Sequence, residues 1–103
     1  RIDALINTGG EKVDPQEVES ALRALGAADA AVIGLPDTRW GQAVVAIVVG
    51  CPLDDADLHL RLRQTLSGHK VPKRFIRLPV LPRSPAGKLD RRALESLLRD
   101  SIR

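Results

Sequence analysis

"DAAVIGLPD" (residues 29–37) and "GQAVVAIVVG" (residues 41–50) are two short, β-branched, almost unbroken apolar runs, parted by "TRWG" at 38–41. Runs of this kind, bounded by turn residues, read as two strands joined by a turn. Their continuity places them at the centre of the sheet. Upstream, Asp14-Pro15-Gln16-Glu17 predicts a helix start: an Asp N-cap, Pro at N1, Glu at N3 to close a capping box, and Val13 and Val18 as a hydrophobic staple. Val18, Ala21, Leu22 and Leu25 follow at helical spacing, and Gly26 ends the helix. Before it, "RIDALINT" and "EKV" flank Gly9-Gly10 and read as a hairpin. Downstream, Asp54 and an acidic first turn open a second helix, with Leu58, Leu62 and Leu66 on one face and Ser67-Gly68 at its end. "RFIRL" (74–78) is a third strand, Pro79, Pro82 and Pro85 punctuate a loop, and a last helix runs from Arg91. Asp90 is its N-cap, and Leu89 and Leu94 occupy the staple positions. The expected fold is α+β: a small antiparallel sheet of about three strands packed by about three helices, with an N-terminal β-hairpin.

With 103 residues, the chain has room for one core. Trp40 and Phe75 are its only aromatics, so that core is aliphatic. No run approaches the ~20 apolar residues of a membrane span, and the N-terminus lacks a secretory signal pattern. A single cysteine, Cys51, expected buried or half-buried at a strand end, fits a reducing compartment. Together these point to the cytoplasm. Charge is unevenly divided. Residues 1–60 hold four Lys/Arg against ten Asp/Glu, and residues 61–103 hold twelve against three. The basic second part suggests a polyanionic partner, a nucleotide or a phosphorylated cofactor among them, or else a solvated face.

"SPAGKLDRR" (84–92) poses the functional question, because loops of Pro, Gly and Ser fold without a lysine and Lys88 is held two residues before a capped helix. A phosphate-binding loop would need Gly at position 82 and Ser or Thr at position 89, where the chain has Pro82 and Leu89. Gly9-Gly10 lacks the third glycine of a dinucleotide fingerprint. Cys51, His59 and His69 have no clustered ligand spacing, so no metal site is expected. No nucleophile stands beside a base in any local pattern.

"RIDALINTGGEKVDPQEVESAL" (1–22), "PDTRWGQ" (36–42) and "LPRSPAGKLDRRAL" (81–94), in this order and separation, resemble the C-terminal domain of acyl-CoA synthetases, members of the adenylate-forming enzymes. The resemblance covers residues 1–103, read as one mobile lid domain whose large N-terminal partner domain is absent. It implies that Lys88, with Pro82 and Gly87 in the matching segment, bridges the substrate carboxylate and the ATP α-phosphate during adenylation. Asp3 matches the hinge about which the lid swings between adenylating and thioester-forming poses. Gly9 and Gly10 match the loop that lines the pantetheine tunnel in the second pose, and a tight turn is compatible with that role. Arg1 and Lys12 are implied to face the nucleotide, Lys12 standing where Arg is commonest. Trp40 and Lys73 are implied on the CoA side, with Arg63 and Lys70 as nearby candidates. The implied substrates are ATP with Mg2+, held mainly by the N-terminal domain, a carboxylic acid and CoA.

Two alternatives stand beside this reading. A carrier-protein-dependent adenylation lid would differ only in the acceptor, and "TGGEKV" (8–13) looks more like the CoA ligases. A basic nucleic-acid-binding module would use the second half, but single-strand binders stack bases on aromatics and this chain offers only Trp40 and Phe75.

Overall fold

Residues Ile6–Thr8 (β1) and Glu11–Val13 (β2) pair antiparallel around Gly9-Gly10, with Ile6 opposite Val13 and Thr8 opposite Glu11. The structure, a computed structural model, describes residues 5–101. Helix α1 (Pro15–Ala24) begins as its sequence dictates: the Asp14 carboxylate accepts from the Gln16 N–H at 3.0 Å, and Val13 and Val18 are both fully buried. The reciprocal arm of the expected capping box is not made. Glu17 instead turns its carboxylate to Lys70 Nζ, 3.0 Å away. At the other end, Ala27 N–H bonds to the Leu22 carbonyl (3.2 Å) and Gly26 N–H to that of Arg23 (3.0 Å), a Schellman closure.

Strands β3 (Asp29–Asp37) and β4 (Gly41–Val49) form one long antiparallel ladder, from Asp29 opposite Val49 to Asp37 opposite Gly41. Helix α2 (Asp55–Thr65) follows, its Asp54 cap accepting from Asp57 N–H at 2.8 Å. It stops before Ser67-Gly68, which instead open a single 3-10 turn, Gly68–Lys70. Strand β5 (Arg74–Arg77) then lies against β4, and α3 (Arg91–Ser101) closes the described chain. Cys51 is half-buried just beyond β4.

The sheet order is β3-β4-β5, and β5 runs parallel to β4, with Val45 opposite Arg74 and Val48 opposite Arg77. The α+β class, the three helices and the hairpin are as the sequence indicates, but the sheet is mixed and not wholly antiparallel. The reason is the connection. Two strands joined through a helix return to the same end of the sheet, and such a crossover is what adjacent parallel strands require.

Both faces of this sheet are covered, which explains the unbroken apolar runs. One face carries Ala30, Val32, Val44, Ala46 and Val48 against Val18 and Leu22 of α1, Leu58 and Leu62 of α2, and Ile6 and Val13 of the hairpin. The other carries Ala31, Ile33, Val45 and Ile47 against Leu81 and against Leu94 and Leu98 of α3.

Strand β3 is an edge, and side chains close it. Glu19 Oε2 accepts from Val32 N–H at 2.9 Å, Arg91 donates to the Val32 carbonyl at 3.4 Å, and Arg23 donates to that of Ala30 at 3.2 Å. Occupied edge groups cannot template a foreign strand. Glu19 is buried, and burial pushes its carboxyl above the ordinary 4.5, outweighing the Val32 N–H and the charges of Arg91 and Arg23 that pull it down. The folded state therefore binds this proton more tightly than the unfolded chain. The associated stability is full below pH 4.5 and is lost as pH rises through the folded value. Glu19→Gln keeps an oxygen for Val32 without the charge. In denaturant titrations the stability of the parent relative to the variant should decline as pH rises above 4.5, whereas a constant difference would exclude this linkage.

Candidate functional site

The loop that bears Lys88 is a miniature hairpin. Arg83 and Leu89 form an isolated antiparallel bridge, Ser84 N–H bonds to the Lys88 carbonyl (2.8 Å), and Gly87 N–H to the Ser84 carbonyl (2.8 Å). Pro85 supplies the fixed φ that suits the second position of this turn, and Gly87 closes it at φ +85, where a side chain would be strained. Asp90 N–H bonds to the Pro82 carbonyl (2.9 Å), while the Asp90 carboxylate caps α3 through Ala93 N–H (3.0 Å). Leu89, partly buried, packs in the same cluster as the fully buried Leu94, so the staple is made. The result is a rigid pedestal. Lys88 is exposed on it, and among the described residues no carboxylate lies within ion-pair distance of its Nζ.

A second cluster forms around Trp40. The Asp37 carboxylate accepts from the backbone N–H groups of Arg39 (2.8 Å) and Trp40 (3.0 Å), which sets the turn between β3 and β4. Gly9 N–H bonds to the Trp40 carbonyl at 2.8 Å, and Gln42 Oε1 accepts from Asn7 N–H at 2.9 Å, so the N-terminal hairpin is fastened to this end of the sheet. Gly9 has φ +60, and a Cβ there would stand 3.0 Å from Cε3 of the indole. The turn thus lies on the ring. Lys73, fixed by its N–H bond to the Val44 carbonyl (2.8 Å), holds Nζ 4.6 Å from the indole centroid, a cation–π arrangement.

These residues line a groove of about 270 Å³ with Thr8, Glu11, Gly68 and His69. Arg63 lines an adjoining groove of about 340 Å³ that shares Lys73 and Gly68. The sequence reading therefore names Gly9, Trp40 and Lys73 as neighbours that the fold does bring together, with Arg63 next to them. Gly10 is the exposed second residue of the turn, and Lys12 is exposed on β2 opposite Asn7 and lines neither groove. Lys70 is tied to Glu17. Arg1 and Asp3 lie outside the described residues. The reading missed Glu11 and His69, whose side chains approach to 3.8 Å in the groove. No spacing links a hairpin glutamate to a distant histidine, so no sequence signal was available.

The two clusters stand at opposite ends of β3. Lys88's pedestal is tied to Asp29 at the start of β3 through Arg83, whereas the Trp40 turn follows Asp37 at its end. At a rise of about 3.3 Å per residue the two ends are about 26 Å apart. Among the described residues no helix is long and apolar enough to cross a membrane, and no three His, Cys, Asp or Glu side chains gather where they could hold a metal ion.

Residues 17–88 match the family described as the AMP-binding enzyme C-terminal domain. Over 101 residues, 95% of the chain, it is 45% identical to 4-chlorobenzoate–CoA ligase from Arthrobacter sp, covering 19% of that protein. It is 42% identical over 98 residues, 91% of the chain, to the fatty acid–[acyl-carrier-protein] ligase ScoC of Streptomyces coeruleorubidus, again 19% of that protein. The structure superposes on the Mycobacterium tuberculosis fatty acyl CoA synthetase with a TM-score of 0.92 at 33% identity, over 98% of this chain and 21% of that one. The chain spans about a fifth of the length of the curated relatives it matches. Matched from α1 to the lysine of the pedestal, and sharing its fold with an acyl-CoA synthetase, the chain belongs to the AMP-binding enzyme C-terminal domain family.

Proposed function

We propose that this domain serves an AMP-forming acid–thiol ligase, supplying Lys88 to the adenylation of a carboxylic acid and the Gly9–Trp40–Lys73 groove to thioester formation. The observation that carries the reading is the separation of these two clusters at opposite ends of β3. One active site can meet only one of them at a time, so a domain offering both must present them in turn. Asp3 is the proposed hinge, and the large N-terminal domain is the proposed partner that holds ATP, its Mg2+ and the acid.

In the first pose Lys88 provides a compact ammonium to the substrate carboxylate and the α-phosphate, whose charges repel each other as they approach. Arg1 and Lys12 are proposed to face the nucleotide. In the second pose the groove accepts the thiol substrate, CoA, whose chemistry is that of an acyl acceptor. Its residues fit a phosphate-bearing chain. Gly9 leaves the floor bare, Trp40 lines the wall, and Lys73 with Arg63 nearby supplies positive charge. Relatives named both for CoA and for an acyl carrier protein exist. The "TGGEKV" turn favours free CoA here, and the proposed compartment is the cytoplasm.

The test is to measure the two half-reactions separately in the complete enzyme, offering free CoA and a phosphopantetheinylated carrier in parallel. The present chain alone should fold yet give no ATP–pyrophosphate exchange with any carboxylic acid. Exchange by the chain alone would refute the division of labour. Salt-dependent binding of an oligonucleotide, read by anisotropy, would instead favour the nucleic-acid reading of its basic half.

A further inference from the structure

We infer that Arg83 and Asp29 are positioning residues that aim Lys88 by fastening its turn to the start of β3. The inference rests on the adenylation role proposed above for Lys88. The Arg83 guanidinium is split between two tasks. Nη1 donates to the Gly87 carbonyl, immediately before Lys88, at 3.0 Å, and Nη2 donates to both Asp29 oxygens at 2.9 and 2.7 Å. Asp29 is itself anchored, accepting from Ala30 N–H at 2.9 Å and from Arg23 of α1 at 3.4 Å. Ala30 is buried in the core. A continuous chain of bonds therefore runs from the core of the sheet to the residue beside the proposed catalytic lysine.

An isolated surface ion pair deserves little weight, because solvent and side-chain entropy cancel most of its attraction. This one differs in two respects. The Asp29 side chain is only 27% exposed, and it stays ionised. Burial pushes its carboxyl up, but the Arg83 hydrogen bond, the Ala30 N–H and Arg23 together outweigh that and hold it below its ordinary value. The second difference is geometric. A planar fork can hold a carboxylate and a carbonyl at once, which a lysine ammonium on a flexible stem does poorly.

The turn does not need this clamp to form, since Pro85, Gly87, the Ser84–Lys88 bonds and the Asp90 cap already define it. What the clamp adds is the orientation of the turn relative to the sheet. Misplacing a reacting group by about 1 Å can cost roughly 10²-fold in rate.

The experiment measures both half-reactions in the complete enzyme for Arg83→Lys, Asp29→Asn, their double variant, Lys88→Ala, and Lys88→Ala combined with each clamp substitution. Arg83→Lys and Asp29→Asn should each slow acyl-adenylate formation about 10- to 100-fold, acting on kcat more than on KM. Thioester formation from supplied acyl-adenylate should be unchanged, and the double variant should be no worse than either single. In the Lys88→Ala background the same substitutions should cost nothing more, because they act through that lysine. Equal loss in both half-reactions, or undiminished loss once Lys88 is gone, would make the clamp merely structural and overturn the inference. If Lys88→Ala slows adenylation and the clamp variants do not, the inference alone fails. If Lys88→Ala leaves adenylation intact, the reading of Lys88 itself fails.

Discussion

Lys88→Ala in the complete enzyme should slow acyl-adenylate formation by about 10²- to 10³-fold and leave acyl transfer from supplied acyl-adenylate near the parental rate. The magnitude follows from charge. An ammonium ~4 Å from developing negative charge, at an effective dielectric near ~20, interacts by ~4 kcal/mol. If that interaction is made mainly in the transition state, it amounts to ~10³-fold in rate. Folding should be nearly indifferent to the change. The turn is held by backbone bonds of Ser84, Gly87 and Asp90, and the staple by Leu89 and Leu94, none of which involves Nζ. Pyrophosphate release reads the first half-reaction and acyl-CoA formation from preformed adenylate reads the second. Parallel loss in both, or loss in neither, would remove Lys88 from the role.

The pedestal that carries Lys88 was legible because it depends on local chemistry, whereas the role proposed for the lysine comes from the family resemblance. The Pro-Ala-Gly turn, the Asp90 cap and the Leu89–Leu94 staple all lie within a short span, where spacing alone fixes what can touch what. The cap at Asp14 was readable for the same reason and accepts the N–H bond that a cap requires, whereas Asp54, read only as the opening of an acidic first turn, proves to cap α2. The direction of β5 was less accessible. Its own four residues, Arg74–Arg77, look alike in either orientation, and the information resides in the helix that precedes it.

The charge asymmetry shows the same limit. Read along the chain, a basic second half suggests an external anion. In the fold, part of that charge meets the acidic first half: Lys70 pairs with Glu17, Arg77 with Asp55, Arg83 with Asp29. Arg77 also donates to the carbonyls of Cys51 and Leu53, fastening β5 to the segment that leaves β4. These partners are far apart in sequence, so composition could report the imbalance but not its use. The Arg83–Asp29 clamp was invisible for this reason, although the turn it orients was not. The groove was legible only in part. Gly9 and Trp40 lie in segments that carry the family resemblance and Lys73 was implied by it from outside them, whereas the approach of Glu11 to His69 arises only through tertiary folding.

Gly9→Val should give the mirror image of the Lys88 result, slowing thioester formation by about 10²-fold while acyl-adenylate formation proceeds near the parental rate. Two costs combine at this position. At φ +60 any Cβ meets the backbone, with a penalty of about 1–2 kcal/mol for an ordinary side chain, and a β-branched one is worse placed still. The same Cβ would lie 3.0 Å from Cε3 and 3.5 Å from Cζ3 of Trp40. The indole has little room to retreat, since the Trp40 N–H is held by Asp37, its carbonyl accepts from Gly9, and Lys73 lies over the ring. The hairpin turn must therefore shift, moving the floor of the groove proposed to take the thiol. Gly10→Ala is the comparison. Gly10 also has positive φ, but a Cβ there meets nothing within 4 Å, so backbone strain acts without the clash. Its effect on acyl transfer should be clearly smaller, with the difference appearing in the dependence on CoA concentration. Should Gly9→Val slow adenylation as much as acyl transfer, or should Gly10→Ala prove equally damaging, the groove beside Trp40 would not be the path of the thiol.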